Sequence, residues 1–107
     1  MDQSKDRARL HGDELARAVA AEIAKTDRAS RFLGIDVVEV RRGFARVAMT
    51  VTPDMANGQD LCHGGLIFSL ADSSFGLACN SHNHRALAAS CSIDFLAPGK
   101  QIGRAHV

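Results

Sequence analysis

The chain has 107 residues, of which 46% are hydrophobic and 23% charged, and 13 Lys and Arg against 12 Asp and Glu leave a formal charge of +1. That is the composition of one soluble globular domain. The even charge balance argues against nucleic acid as a partner, because neutralising phosphates calls for a surplus of clustered Lys and Arg.

Met1 to His11 alternates acid and base without an apolar run, which predicts no signal peptide. From Asp13 to Lys25 the apolar positions Leu15, Val19 and Ile23 recur four residues apart, the spacing of an amphipathic helix of about three turns, with Asp13 placed to favour its N-terminus. Ile35 to Arg41 is rich in β-branched residues, and Phe44 to Thr52 sets Ala45, Val47, Met49 and Val51 against Arg46, Ala48 and Thr50. Joined at Arg42-Gly43, they form a β-hairpin. Pro53-Asp54 ends the second strand, and Ala56 to Gln59, with Asn57-Gly58, is a loop.

Gly65 to Asn80 reads as a helix that is apolar nearly all round and therefore buried. Its apolar stretch, Leu66 to Cys79, is broken by Ser69, Asp72, Ser73 and Ser74. It thus falls short of the roughly 18 consecutive apolar residues of a membrane span, and no membrane partner is expected. Arg85 to Leu96 alternates Ser90, Ser92 and Asp94 against Cys91, Ile93 and Phe95, as a third strand does, and Ala97-Pro98-Gly99 closes it. The expectation is a single α+β domain over residues 1–107 in which an antiparallel sheet wraps one long hydrophobic helix. Cys62, Cys79 and Cys91 lack CxxC spacing, so they read as reduced thiols of a cytoplasmic protein, most simply as small buried hydrophobes.

Three features converge on one region: Asn57 in the loop, His63-Gly64-Gly65 at the entrance to the long helix, and Asp72 about two turns further in. Glycines before a helix let a ligand approach the backbone, and the free N–H groups of the first turn carry the positive end of the helix dipole. A carbonyl placed there is polarised, although a Gly-Gly pair that merely turns the chain is the plainer account. Asp72 is the stronger clue, since a carboxylate inside an apolar helix costs desolvation without a partner or a task. Gly64 and Asp72 are eight residues apart, about 12 Å along one helix, and cannot both touch one reacting carbon. If two copies of the helix lie antiparallel about a two-fold axis, Gly64 of one comes near Asp72 of the other, and each interface holds two equivalent sites.

The run from Asn57 to Asp72, NGQDLCHGGLIFSLAD, resembles the NG-x(4)-HGG-x-IF-x-LAD signature of the hotdog-fold acyl-CoA thioesterases, in particular the phenylacetic-acid-degradation branch. The resemblance extends to Leu33-Gly34-Ile35, to Ala78-Cys79-Asn80 and to the run Ile93 to Pro98. It implies hydrolysis of an aryl-acetyl or hydroxyaryl-acetyl-CoA to free acid and coenzyme A, with no metal or redox cofactor. It assigns the carbonyl-polarising backbone N–H to Gly64 and action on the carbonyl carbon or on water to Asp72. Asn57 and His63 orient the loop and substrate, Gly65 lies against the substrate, and Ser90 falls near the attacking water. It also implies a homodimer that forms the active site, two such dimers making a homotetramer. Arg85 and Lys100 are the basic groups available to the phosphates of coenzyme A.

Family members continue after the third strand with a Gly-Asp turn and two further strands, so the expectation is that these are missing here. The last six residues, Ile102 to Val107, resemble a translated sequencing adaptor, which sets the native end at about Gln101. Two other readings come from different classes: a non-catalytic acyl-CoA-binding hotdog module, and a hotdog dehydratase. Asp72 argues against the first, since a site for an apolar acyl group has little reason to bury a carboxylate, and the LAD segment argues against the second. His82 and His84 have the HxH spacing of a metal site, but with no third ligand in view they read as exposed loop residues.

Overall fold

The computed structural model describes residues 10–85, together with Ser90, Ser92 and Asp94 and the backbone of 104–106. Helix α1 spans Gly12–Ala24. Its acidic first-turn residues, Asp13 and Glu14, match the helix dipole, and its buried stripe is Ala16, Val19 and Ala20, flanked by the partly buried Ile23. A second helix, α2, spans Arg28–Leu33 and was not anticipated from the sequence. Its N-cap is Asp27, whose side chain accepts from the Ser30 N–H, and its C-cap is Gly34 in the left-handed region at φ 70°. The Ile35 N–H donates to Ser30 O at 2.9 Å, the long closing bond of a Schellman end. The Arg31 guanidinium donates to Ala24 O and Lys25 O at 3.2 Å each, so α2 satisfies the end of α1.

Strands β1 (Asp36–Arg41) and β2 (Phe44–Thr50) form the expected hairpin. Arg41 faces Phe44 across the two-residue turn, and a bulge between Val37 and Glu39 shifts the register. The turn is held from two sides. Its Arg42 N–H donates to Asp13 Oδ1 at 3.0 Å, and its Gly43 N–H donates to Ser81 Oγ at 2.7 Å. Ser81 is almost wholly buried, and its hydroxyl donates in turn to Ala78 O. Asp13 therefore serves the hairpin as well as lying in the first turn of α1.

A short 3-10 turn, Pro53–Met55, follows β2, and helix α3 spans Gly64–Asn80. Leu70 and Leu77 of α3 enter a core with Val40, Val47, Met49, Val51, Met55 and Cys62. The buried Ser74 of α3 donates its hydroxyl to Ala45 O of β2 at 2.8 Å, which ties helix to sheet. The backbone of β3 (Arg104–His106) pairs antiparallel with β2, giving the order β1-β2-β3. This pairing uses the segment expected to lie beyond the native end. Of the third strand expected at Arg85 to Leu96, the described residues Arg85, Ser90, Ser92 and Asp94 carry no strand, and the rest of that segment lies outside the described residues.

The expectation of a buried α3 needs correction. Within one chain only Leu70, Ser74 and Leu77 of α3 are buried, while Phe75 is 46% exposed and Asp72 is exposed. The described sheet covers one face, and the positions Gly65, Phe68, Asp72, Phe75 and Cys79 repeat at helical spacing along the other. Among the described residues no helix is long and apolar enough to cross a membrane.

Candidate active site

The loop from Ala56 to His63 is built on Asn57. Its side-chain oxygen accepts from the Gln59 N–H at 2.9 Å and the Leu61 N–H at 3.1 Å, while its backbone N–H donates to Leu61 O at 2.7 Å. An Asx-type arrangement of this kind lets a short side-chain oxygen stand in for a turn of backbone bonds. Within the loop Asp60 takes φ 60°, and Ala56 bridges to Cys62. Asn57 thus shapes the approach to α3, and its side-chain oxygen is spent on the loop.

The first turn of α3 can be accounted for donor by donor. An α-helix leaves four N–H groups at its start without intrahelical partners. Here His63 N–H donates to Met55 O at 2.7 Å and Leu66 N–H to His63 O at 2.9 Å. The Gly65 N–H donates to His63 Nδ1 at 3.0 Å. Gly64 N–H alone of the four has no partner among the described residues. His63 is therefore the cap of α3, and in the neutral ring the proton sits on Nε2, since Nδ1 accepts. A Cβ on Gly65 would lie 3.3 Å from His63 Nδ1, so Gly65 also leaves room for that ring.

These findings separate two glycines that were grouped at the outset. Gly64 offers a free donor on the dipole axis, whereas Gly65, expected against the substrate, has its N–H committed to the cap.

Asp72 stands on the open face of α3, at the edge of a groove of about 900 Å³ between α3, α2 and the end of α1. That volume is within the range of ligand pockets, about 300–1,000 Å³. Leu33, Phe68 and Phe75 give it apolar wall, and Asp72, Ser73 and Arg85 give it polar groups. The Asp72 carboxylate has no hydrogen-bond or ionic partner among the described residues, so it faces the groove free to act. Ser69 donates instead to Gly65 O at 3.0 Å, and Ser73 lies 3.0 Å from Ser30 of α2.

The remaining candidates divide. Arg85 lines the groove, while Lys100 lies outside the described residues. Ser90 is exposed and is not among the residues that line the groove. His82 Nδ1 accepts from Arg42 Nε at 3.1 Å, and so serves the hairpin turn. Cys62 is buried and Cys79 half-buried, both as free thiols; burial pushes the Cys62 thiol above its ordinary value, the behaviour of a core residue. Cys91 lies outside the described residues. The α2 serine Ser30, which reaches the groove wall, was not singled out from sequence. The signal was present in Asp27 followed three residues later by Ser30, a cap spacing.

Residues 59–104 match the family model described as the Thioesterase superfamily. Over 75 residues the chain is 52% identical to the acyl-coenzyme A thioesterase PaaI of Escherichia coli strain K12, covering 70% of this chain and 54% of that protein. The structure of E. coli PaaI, from the phenylacetic acid degradation operon, superposes with a TM-score of 0.83 at 45% identity, over 85% of this chain and 66% of that one. A mutant form of the phenylacetic acid degradation protein PaaI from Thermus thermophilus gives a TM-score of 0.71 at 35% identity, over 75% and 69% of the two chains. The chain spans about half the length of the curated relatives it matches. A long helix laid on an antiparallel sheet is here the hotdog fold.

Proposed function

Because the chain belongs to the thioesterase superfamily, we propose that it hydrolyses an acyl-CoA thioester to the free acid and coenzyme A, with an aryl-acetyl or hydroxyaryl-acetyl group as the acyl part. The observation that carries the reading is the pair of unengaged groups on α3. Among the described residues, the N–H of Gly64 at the helix start and the carboxylate of Asp72 have no partner. The aryl-acetyl choice rests on the likeness to proteins of phenylacetic acid degradation and on the aromatic wall of Phe68 and Phe75 beside Asp72.

Attack on a thioester builds negative charge on the carbonyl oxygen, and a fixed donor aimed at that oxygen stabilises it. Gly64 N–H is that donor, strengthened by the helix dipole behind it. Asp72 supplies the other half, either taking the proton of the attacking water or adding to the carbonyl carbon before water releases the acid. In both routes the C–S bond breaks and the thiolate leaves as coenzyme A. Since the two groups stand about 12 Å apart along one helix, the reacting carbonyl lies between Gly64 of one protomer and Asp72 of the partner subunit. A homodimer is then the catalytic unit, and a homotetramer is two such dimers.

His63 and Asn57 act as positioning residues, through the cap and the loop. Arg85 is the basic group of the groove available to a phosphate of the substrate. The reading calls on no cofactor and sets the protein in the cytoplasm, where cysteines without CxxC spacing are kept as thiols.

Thiol release from a panel of acyl-CoAs tests the activity. Asp72→Asn should abolish turnover while fold and dimer persist, and wild-type turnover by that variant overturns the assignment. Mixing Asp72→Asn with Gly64→Pro should rebuild about one quarter of all sites, because about half of randomly paired dimers are mixed and one of the two sites in each mixed dimer is whole.

A further inference from the structure

Beside Asp72, a hydrogen-bonded chain of three side chains runs along the wall of the groove, and the hydrolysis described above makes no use of it. Asp27 Oδ1 accepts from the Ser30 N–H at 3.0 Å, and Asp27 Oδ2 accepts from the Ser30 hydroxyl at 2.6 Å. Ser30 Oγ lies 3.0 Å from Ser73 Oγ of α3. All three residues line the same groove as Asp72.

Chemistry fixes the direction of these bonds. An ionised carboxylate only accepts, so the single Ser30 proton is committed to Asp27. The bond between the two hydroxyls is therefore donated by Ser73, whose own proton is spent in turn. A helix serine ordinarily returns its proton to the carbonyl one turn earlier, as Ser69 does to Gly65 O. Ser73 is drawn away from that bond towards α2. What it has left for the groove is lone-pair density, polarised through the chain by the Asp27 carboxylate.

We infer that Ser73, oriented by Ser30 and Asp27, reads a hydrogen-bond donor on the acyl group, such as a ring hydroxyl of an arylacetyl thioester. This rests on the thioesterase reading of the groove. Ser73 directly follows Asp72 on α3, with Cα atoms about 3.8 Å apart, so a ring whose carbonyl is held at Asp72 has this acceptor within its reach. A bare ring leaves Ser73 to water, and a ring ether places one acceptor against another. With the empty groove solvated, the gain is that of one net hydrogen bond, about three- to tenfold in kcat/KM.

The test compares kcat/KM of the full chain on phenylacetyl-CoA, on its 3- and 4-hydroxy derivatives, and on the matching methoxy derivatives. The wild type should prefer a hydroxy ring to the bare and methoxy rings, and Ser73→Ala should reduce the hydroxy-to-bare ratio about three- to tenfold. Ser30→Ala supplies a second probe. With Ser30 gone the Ser73 proton is released to donate to an ether oxygen, and the hydroxy-to-methoxy ratio should fall. A purely structural link between α2 and α3 would lower every substrate by one factor, and ratios unchanged in both variants overturn the inference while leaving the thioesterase reading intact. A wild type that hydrolyses none of the panel overturns both.

Discussion

Replacing Gly64 by Pro removes the N–H that the chemistry is proposed to need and sets the methylenes of the proline ring in its place. Gly64 is the first residue of α3, where proline is tolerated because its fixed φ suits the helix and its missing N–H breaks no helical bond. The preceding His63 sits at φ −59° and ψ 131°, the extended region that a following proline prefers. The three other donors of the helix start keep their acceptors, namely Met55 O, His63 Nδ1 and His63 O. No hydrogen bond of the Gly64 N–H among the described residues is lost, so stability should change by no more than about 1 kcal/mol.

Catalysis should change far more, since removing one donor to a developing oxyanion typically costs about 10² to 10³ in kcat, or about 2.7–4 kcal/mol of transition-state stabilisation. The proline Cδ also stands where the carbonyl oxygen would approach, so KM should rise as kcat falls, and kcat/KM is the quantity to compare. Steady-state thiol release with wild type and Gly64→Pro, beside thermal melts of both, gives each quantity. A variant that melts with the wild type and keeps kcat/KM within about threefold of it would remove Gly64 from the mechanism.

Two further outcomes concern the frame that holds the site. Ser81→Ala removes the acceptor of the Gly43 N–H and the donor to Ala78 O; since Gly43 is exposed and its N–H can turn to water, the cost in urea unfolding should be that of a net hydrogen bond, about 0.5–1.5 kcal/mol. For Cys62, burial holds the folded thiol above the value it has in the unfolded chain, so folding favours the protonated form. That stability is complete below the unfolded value and is lost as pH rises through the folded one. Urea melts between about pH 8 and pH 10.5 should therefore show a decline that is smaller in Cys62→Ala.

Where a local pattern is long, the sequence already contains the element. The spacing of Leu15, Val19 and Ile23 places a helix over Asp13 to Lys25, and the structure has it at Gly12–Ala24. The alternation across Arg42-Gly43 yields the hairpin, and the glycine pair marks the start of α3 within one residue. Helix α2 escapes the same reasoning because six residues are too few for a 3.6-residue period to declare itself. Its evidence lies in its ends, Asp27 and Gly34, and not in its apolar pattern. The burial of α3 within one chain falls short of the expectation for a related reason: a helix apolar on all sides must be covered, but periodicity does not say by what. Inside one protomer the face carrying Phe75 and Asp72 is left open, which is where a second copy of the helix would have to lie.

The site shows the same division at finer grain. That Gly64 and Asp72 cannot share one carbonyl within one chain follows from a count of residues and the rise of a helix. Which of two adjacent glycines is the donor does not follow from any count, since both are first-turn residues beside the same histidine. It is decided by the imidazole of His63, which turns back to accept from Gly65 and leaves Gly64 open. His63 then needs no contact with substrate to matter to the reaction. Losing its ring would free a second N–H at the helix start, and the helix would offer the substrate two competing donors instead of one placed donor. A cap that withdraws the wrong donor selects the right one, and this gives the His-Gly-Gly order a physical reason: acceptor first, free N–H next, committed N–H last.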